Sequence, residues 1–364
     1  MAIAIFHNFL DNIGGAEIVT LLLARELGAD VYTTNIDQEK IKKMGFSDLN
    51  IYSIGWVPAA APLRQELTYW RFRFLNLGKR YNFYIISGDW AMAAAVNYQP
   101  NFWYVYSPMR EVWDLASYVR EQLVPWYGHW VFNLWLKYRR HFIFKHLKSV
   151  NHLVAISNNV KNRIEKYLNR TAAVVYPPVE VNKFYYRQSG GYWLSVNRLV
   201  VHKRVLMQLE AFKRLPDEKL VIIGSYEKSK HFKQYAKLVW QNKPKNVEIL
   251  SWVGQERLIE LYANCKGFIT TSLDEDFGLN VIEAMAAGKP VIAPNDGGYR
   301  ETVIDGATGR LIDSITSDKL VLAIKDLGQN PVQFKAVCQK QAQNFDLAVF
   351  IKKIKEQIKN DYQP

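Results

Sequence analysis

Apolar residues along this chain alternate between short continuous runs and helix-spaced stripes, and the whole alternation occurs twice. The run Ala2 to Phe6 reads as a strand; a loop with Gly14 and Gly15 follows, then a helical pattern from Ala16 to Leu27 and the β-rich Asp30-Val-Tyr-Thr-Thr. That succession is the opening of a βαβ unit. Further strands are predicted at Phe83 to Ile86, Phe102 to Tyr106 and His152 to Ile156. The pattern restarts at Tyr192 to Val196 and continues through Leu220 to Ile223, Val247 to Leu250, Gly267 to Thr270 and Pro290 to Ala293. Strands alternating with helices imply parallel sheets, and two rounds imply two α/β domains. The turn Tyr176-Pro-Pro-Val179 and the polar stretch Arg187 to Gly191 divide them, so the boundary is set near residue 187: a first domain over 1–187 and a second over 188–345. Leu347, Phe350, Ile351, Ile354 and Ile358 fall at helical spacing opposite lysines. They predict an amphipathic closing helix over 346–364, packing either on its own domain or back on the first.

Composition narrows the class. With 364 residues, 49% of them hydrophobic, the chain can bury two cores of ordinary size. No apolar run approaches the roughly 18 residues of a spanning helix, and the opening Met1-Ala-Ile-Ala-Ile-Phe-His lacks the layout of a signal peptide. Two cysteines in dissimilar contexts, Cys265 and Cys338, argue against a disulfide framework and suit a reducing compartment. The expected location is the cytoplasm.

Charge changes that picture. The net charge is +13, and residues 51 to 190 hold 18 Lys/Arg against 7 Asp/Glu, an excess of 11 that leaves 2 for the rest of the chain. Inside this stretch Trp70-Arg-Phe-Arg-Phe74 and Trp130 to Lys148 interleave basic and aromatic residues. Such a mixture suits an anionic membrane surface, which would make the protein peripheral on the inner face of the cell membrane. The alternatives are a solvated helix face and, without any accompanying motif, nucleic acid.

The densest chemistry lies between Thr271 and Pro290. The apolar strand Gly267 to Thr270 precedes an acidic turn, Glu275-Asp-Phe-Gly278, and Asn280 to Ala287 reads as a short helix stopped by Gly288. The turn therefore sits between a strand's carboxyl end and a helix N-terminus, the edge where open parallel sheets bind ligands. Free amides near Gly278 and Leu279 suit a phosphate, and glycine permits close approach. Glu275 and Glu283 are eight residues apart, and carboxylates accept hydrogen bonds from the paired hydroxyls of a sugar or ribose. The plain alternative is an acid favoured by the helix dipole plus a solvated helix glutamate.

The run Glu275-Asp-Phe-Gly-Leu-Asn-Val-Ile-Glu283-Ala-Met-Ala-Ala-Gly-Lys-Pro, with Gly297-Gly298 and Glu301 after it, resembles the donor-site signature of retaining glycosyltransferase family 4. Gly14-Gly15-Ala-Glu17, Ala155-Ile-Ser157, Pro177-Pro178-Val179 and Arg198-x4-Lys203 resemble that family's other segments, in the same order. The resemblance implies the GT-B fold, two Rossmann-like parallel-sheet domains facing across a cleft. It also implies transfer of a hexose from a nucleoside diphosphate sugar to a glycan or lipid-linked acceptor, as in polysaccharide biosynthesis. By the same resemblance Arg198 and Lys203 grip the donor diphosphate, Glu283 holds the ribose, and Glu275 meets the transferred sugar beside the Phe277, Gly278 and Leu279 backbone. Gly14 and Gly15 let the first domain's loop approach the diphosphate or acceptor. Tyr104-Val-Tyr-Ser-Pro-Met-Arg110 is similar to a segment of a mannosyltransferase-like subgroup, with Tyr106 at the usual histidine position; the likeness favours GDP-mannose over UDP-sugars. Tyrosine donates a hydrogen bond but takes up no proton near neutral pH, so Tyr106 is either a replacement contact or simply packed. None of the seven histidines makes a metal constellation. The expected reaction needs no metal and no cofactor beyond the donor, a GDP-sugar or UDP-sugar. Rival readings are a GT-B phosphorylase or hydrolase, and a nucleotide-sugar-binding protein with impaired catalysis.

Overall fold

The computed structural model describes residues 1–188, 190–225 and 230–361. The chain divides into two compact units, residues 1–176 together with those from Phe350 onward, and residues 177–349. The division falls at the Tyr176-Pro177 step, ahead of the polar stretch near residue 187. Ser189 in that stretch and residues 362–364 of the closing segment lie outside the described residues.

The first unit carries β1 (Ile3–Phe6), β2 (Asp30–Thr33), β3 (Ile51–Ser53), β4 (Phe83–Ile86), β5 (Asn101–Val105), β6 (His152–Ala155) and β7 (Ala173–Val174). They form one parallel sheet in the order β3-β2-β1-β4-β5-β6-β7. The second unit carries β8 (Tyr192–Arg198), β9 (Lys219–Ser225), β10 (Val247–Leu250), β11 (Phe268–Ile269), β12 (Val291–Pro294) and β13 (Gly309–Ile312), parallel in the order β10-β9-β8-β11-β12-β13. These are two Rossmann-like sheets. The central strands Ile3-Ala-Ile-Phe6, Phe83-Tyr-Ile-Ile86 and Val291-Ile-Ala-Pro294 are buried along their whole length, as helices on both faces of a parallel sheet require. With no alternation of polar residues within them, polar chemistry is confined to their ends.

In each sheet the chain order reverses once, between β1 and β4 in the first unit and between β8 and β11 in the second. There consecutive connections leave on opposite faces, and a crevice opens at the carboxyl ends of the strands. β8 ends at Arg198 and the loop after β11 begins at Thr270, so the segments singled out in the sequence flank the second unit's crevice.

The first unit's core is aromatic. Phe6 packs against Tyr84 and Tyr98 with ring centroids 5.7 and 5.2 Å apart, and Phe350 of the closing helix Leu347–Asp361 meets Tyr104 at 5.7 Å. Two helices, Leu63–Arg73 and His129–Leu147, are pinned together by a charge inside the fold. The Arg139 side chain is fully buried, donates through Nε to Glu66 Oε1 at 3.1 Å, and sits 4.2 Å from the Tyr69 ring and 5.0 Å from that of Trp90. Trp135 Nε1 donates to the same carboxylate oxygen at 2.7 Å. A guanidinium stripped of water is tolerable only with such compensation. Glu66→Gln therefore leaves Arg139 buried without its counter-charge; chemical denaturation followed by tryptophan fluorescence should register a loss of about 3 kcal/mol in the first unit, and an unchanged midpoint would refute the clamp.

Candidate active site

Two loops of the second unit are stitched into one wall. After β8, Leu199 is buried and residues 201–203 make a single tight turn. Arg204 then takes a left-handed conformation, φ 51°, before the helix Val205–Lys213. That unusual backbone aims its side chain back at β11: Arg204 Nε donates to the Thr271 carbonyl at 2.6 Å. Thr271 Oγ1 donates to the Lys203 carbonyl at 2.8 Å, and the Leu273 N–H donates to the His202 carbonyl at 2.9 Å.

On this wall Lys203 Nζ meets Glu275 Oε2 at 2.5 Å, and Ser272 Oγ donates to the same oxygen at 2.5 Å. Burial alone would raise the Glu275 pKa, but the Lys203 charge and the two hydrogen bonds outweigh it and hold the carboxyl down at about 2. Glu275 is thus an anion at neutral pH with a cation fixed beside it.

The Glu275 loop leads into the helix Leu279–Ala286 through Gly278 at φ 92°. Glycine is needed there twice over, because a Cβ would also lie 2.6 Å from Tyr299 Cε1. Gly297 and Gly298 are constrained in the same way: Cβ atoms on them would come within 2.5 Å of the Glu275 carbonyl oxygen and of Phe277 Cα. Their lack of side chains lets the loop after β12 lie directly on the Glu275–Phe277 backbone, where the Gly298 N–H donates to the Glu275 carbonyl at 2.8 Å. Phe277 is buried against Phe345, ring centroids 5.6 Å apart, so it offers backbone rather than ring to a ligand. Asn280 Nδ2 donates to the Val196 carbonyl at 2.9 Å, tying the helix N-terminus to β8. Leu279, at the first helical position, is half-buried.

Glu283 lies one turn further on. Tyr262 Oη donates to its Oε2 at 2.7 Å, and Oε1 accepts no hydrogen bond from a described residue. Burial pushes the Glu283 pKa up, against the pull of the Tyr262 bond. The two carboxylates therefore differ in kind, Glu275 neutralised by a lysine and Glu283 supported by a neutral phenol. Arg198 ends β8 and is exposed. Asp274 and Asp276 flank Glu275 in an Asp-x-Asp spacing, and the Asp274 N–H donates to Asp296 Oδ2 at 2.9 Å. Among the described residues no group of three or more His, Cys, Asp and Glu is close enough to share a metal ion.

The remaining expected site residues belong to the first unit. Gly14 caps the helix Gly15–Leu27 with extended backbone, φ −157°, which any residue adopts; a Cβ there would meet only the mobile end of Glu17, 2.5 Å away. Tyr106, just past β5, puts its hydroxyl 3.1 Å from the Ala16 carbonyl and 3.2 Å from both Thr20 Oγ1 and Ser87 Oγ. Burial raises the Tyr106 pKa and lowers that of His7, whose Nδ1 is 3.2 Å from Thr20 Oγ1, to about 4. Both groups are neutral at physiological pH. The phenol is thus tied to the start of the Gly15–Leu27 helix, which joins Tyr106 to the Gly14-Gly15 loop.

Residues 182–345 match the family described as Glycosyl transferases group 1. The matching stretch is less than half of the chain, spans most of the second unit and contains the whole Lys203–Glu275–Glu283 wall. An uncharacterised glycosyltransferase of Methanocaldococcus jannaschii is 29% identical over 178 residues, covering 49% of this chain and 50% of that protein. The alpha-1,3/1,6-mannosyltransferase ALG2 of Dictyostelium discoideum is 30% identical over 193 residues, covering 42% and 46%. The matches thus span about half the length of these relatives. Two solved structures share the fold over nearly the whole chain. Anabaena HepE in complex with UDP and glucose superposes with a TM-score of 0.77 at 16% identity, covering 99% of both chains. Sucrose-phosphate synthase of Thermosynechococcus elongatus gives 0.75 at 16%, covering 99% and 98%.

Several residues that build the wall carry no signal of their own in the sequence. Tyr262 and Arg204 act through contacts across 21 and 67 positions of chain, and Ser272 through a hydrogen bond to Glu275 three positions on. Because the Glu275 pKa is depressed, its pairing with Lys203 stabilises the fold fully above the unfolded carboxyl pKa of about 4.3 and loses that contribution as pH falls toward the folded value. The melting temperatures of the native chain and of Lys203→Met should accordingly converge between about pH 5 and pH 2.5; a gap independent of pH would show that the pair is not ionic.

Proposed function

We propose that the chain is a retaining hexosyltransferase that takes its sugar from a nucleoside diphosphate donor, with GDP-mannose favoured, and passes it to a hydroxyl of a glycan or lipid-linked acceptor in the cytoplasm. The observation that carries this reading is the pairing of a lysine-bound, fully ionised Glu275 in the loop with a phenol-supported Glu283 eight residues on, one turn into the following helix, within the stretch that matches glycosyl transferases group 1. Arg198 and Lys203 receive the diphosphate. Glu283 turns its uncommitted oxygen to the ribose hydroxyls, and Glu275 accepts hydroxyls of the transferred hexose beside the Phe277-Gly278-Leu279 backbone. Two further supports come from comparison: the likeness to a mannosyltransferase over residues of this chain, and the binding of UDP by a protein of the same fold.

The chemistry requires charge stabilisation at the leaving group. As the bond between the anomeric carbon and the β-phosphate oxygen breaks, negative charge grows on the diphosphate, where two cations fixed before the reaction stabilise it without reorganising. The acceptor oxygen bonds to the anomeric carbon on the same face, and the acceptor proton passes to the departing phosphate oxygen. No metal is assigned to the step. Tyr106 and the Gly14-Gly15 loop are assigned to the acceptor side, with Tyr106 a neutral phenol that donates its hydrogen bond to the Ala16 carbonyl, positions the loop and transfers no proton.

Incubating the chain with GDP-mannose, UDP-glucose and UDP-galactose, each with a panel of lipid-linked and soluble acceptors and a chelator, tests the reading. The expected product carries an α-linkage from an α-donor, seen by NMR, and Lys203→Ala should lower kcat about 10²- to 10³-fold. Release of free sugar regardless of acceptor would replace transferase with hydrolase, and nucleotide binding without turnover would leave a binding protein.

A further inference from the structure

Helices of a folded chain normally turn their apolar stripe inward, yet two helices of the first unit keep one outside. On Leu63–Arg73, the residues Leu63 and Leu67 are exposed, and Phe74 just beyond the helix is 73% exposed. On His129–Leu147, Val131, Leu134 and Tyr138 recur three and four positions apart and are exposed as well. The turn ahead of that helix presents Trp126 at 83% exposure, and its first turn presents Trp130 at 66%. Ring contacts join the two helices, Phe74 to Trp70 at 5.7 Å, Trp70 to Phe142 at 5.3 Å and Phe142 to Tyr138 at 4.8 Å, and the other exposed residues lie on or just ahead of these same helices. An exposed apolar face of this kind on a soluble surface marks an interaction site.

Its charge selects the occupant. No Asp or Glu occurs from Leu67 to Gly88 or from Gln122 to Ile164. The neighbouring acid, Glu66, is turned inward onto Arg139. Lys137 and Lys145 are exposed eight positions apart, so they form a cationic stripe along the same helix beside Leu134 and Tyr138. A second copy of the chain would bring the same cations against this stripe and be repelled. Nucleic acid needs stacking rings and cations but has no use for Leu63, Leu67, Val131 and Leu134. An anionic lipid surface takes all three: aliphatic side chains below the headgroups, tryptophan and tyrosine at their level and lysines on the phosphates. No described helix is long and apolar enough to cross the bilayer.

We infer that the surface formed by the 63–74 and 126–145 segments docks the protein on an anionic phospholipid bilayer, with Trp126 and Trp130 entering the headgroup layer and Lys137 and Lys145 holding its phosphates. The docking is independent of the donor chemistry. Sedimentation of the full chain with vesicles of phosphatidylcholine alone, or with about one-third phosphatidylglycerol, tests it at low and high salt. Binding is expected only to the anionic vesicles and weakens as salt rises. Lys137→Glu with Lys145→Glu should weaken it by about tenfold or more, and Trp126→Ser with Trp130→Ser should weaken it and abolish a blue shift of tryptophan emission. Melting temperature and nucleoside diphosphate affinity should stay at native values in both variants, which separates lost docking from lost folding. Equal binding to neutral vesicles, no binding to either kind, full retention by both variants, concentration-dependent dimerisation that hides the tryptophans, or preference for a single-stranded oligonucleotide over vesicles at equal salt would each overturn the proposal.

Discussion

A half-buried lysine–carboxylate pair determines what the second unit can do. Taking Glu275 partly out of water is costly, and Lys203 and Ser272, brought to one of its oxygens, offset that cost. Bringing them there depends in turn on the left-handed Arg204, the carbonyl of Thr271 and the two glycines that let the loop after β12 press on Glu275. Each is a backbone arrangement at a strand's carboxyl end, and each exists because the strands themselves, buried on both faces, have no room for polar groups. The fold concentrates its charged chemistry where the strand order reverses.

Much of this was legible in the amino-acid sequence. Continuous apolar runs such as Ala2 to Phe6 and Phe83 to Ile86 coincide with strands β1 and β4, since a fully buried strand leaves little doubt about its composition. The strands that escaped notice have physical reasons for doing so. β3 is three residues long with Tyr52 and Ser53 exposed, β7 has two residues, and β13 opens on Gly309, whose missing side chain lets it lie against β12. Neither edge length nor close backbone approach leaves a hydrophobic pattern.

The candidate site divides in the same way. Glu275, Gly278 and Glu283 stand out because carboxylates and glycine between a strand and a helix are a local pattern. Gly278 proves to need its glycine for the Tyr299 contact, whereas Gly14 has ordinary extended backbone and only a flexible carboxylate nearby. Tyr262 and Arg204 are supporting residues whose roles arise from tertiary contact or backbone conformation, so no motif contains them, while Ser272 lies within the Thr271–Pro290 stretch without standing out from it. Asp274-Glu-Asp276 is the converse case, a spacing that looks like a metal motif although, among the described residues, no group of three or more His, Cys, Asp and Glu is close enough to share an ion. The first unit's exposed aromatics behave differently again: composition suggested a basic, aromatic surface, but only the three-dimensional arrangement showed that the rings connect two helices.

The central claim is that Glu283 and the Lys203–Glu275 pair together form a nucleotide-sugar site, and calorimetry on the free nucleotides addresses it most directly. Titrating GDP, UDP and ADP, with their common sugar conjugates, into the native chain and into Glu283→Ala should show micromolar binding by one base series, weakened by about tenfold or more when the ribose-facing carboxylate is removed. Absence of heat from every nucleotide, or equal affinity in the variant, would contradict the assignment of this wall to a donor.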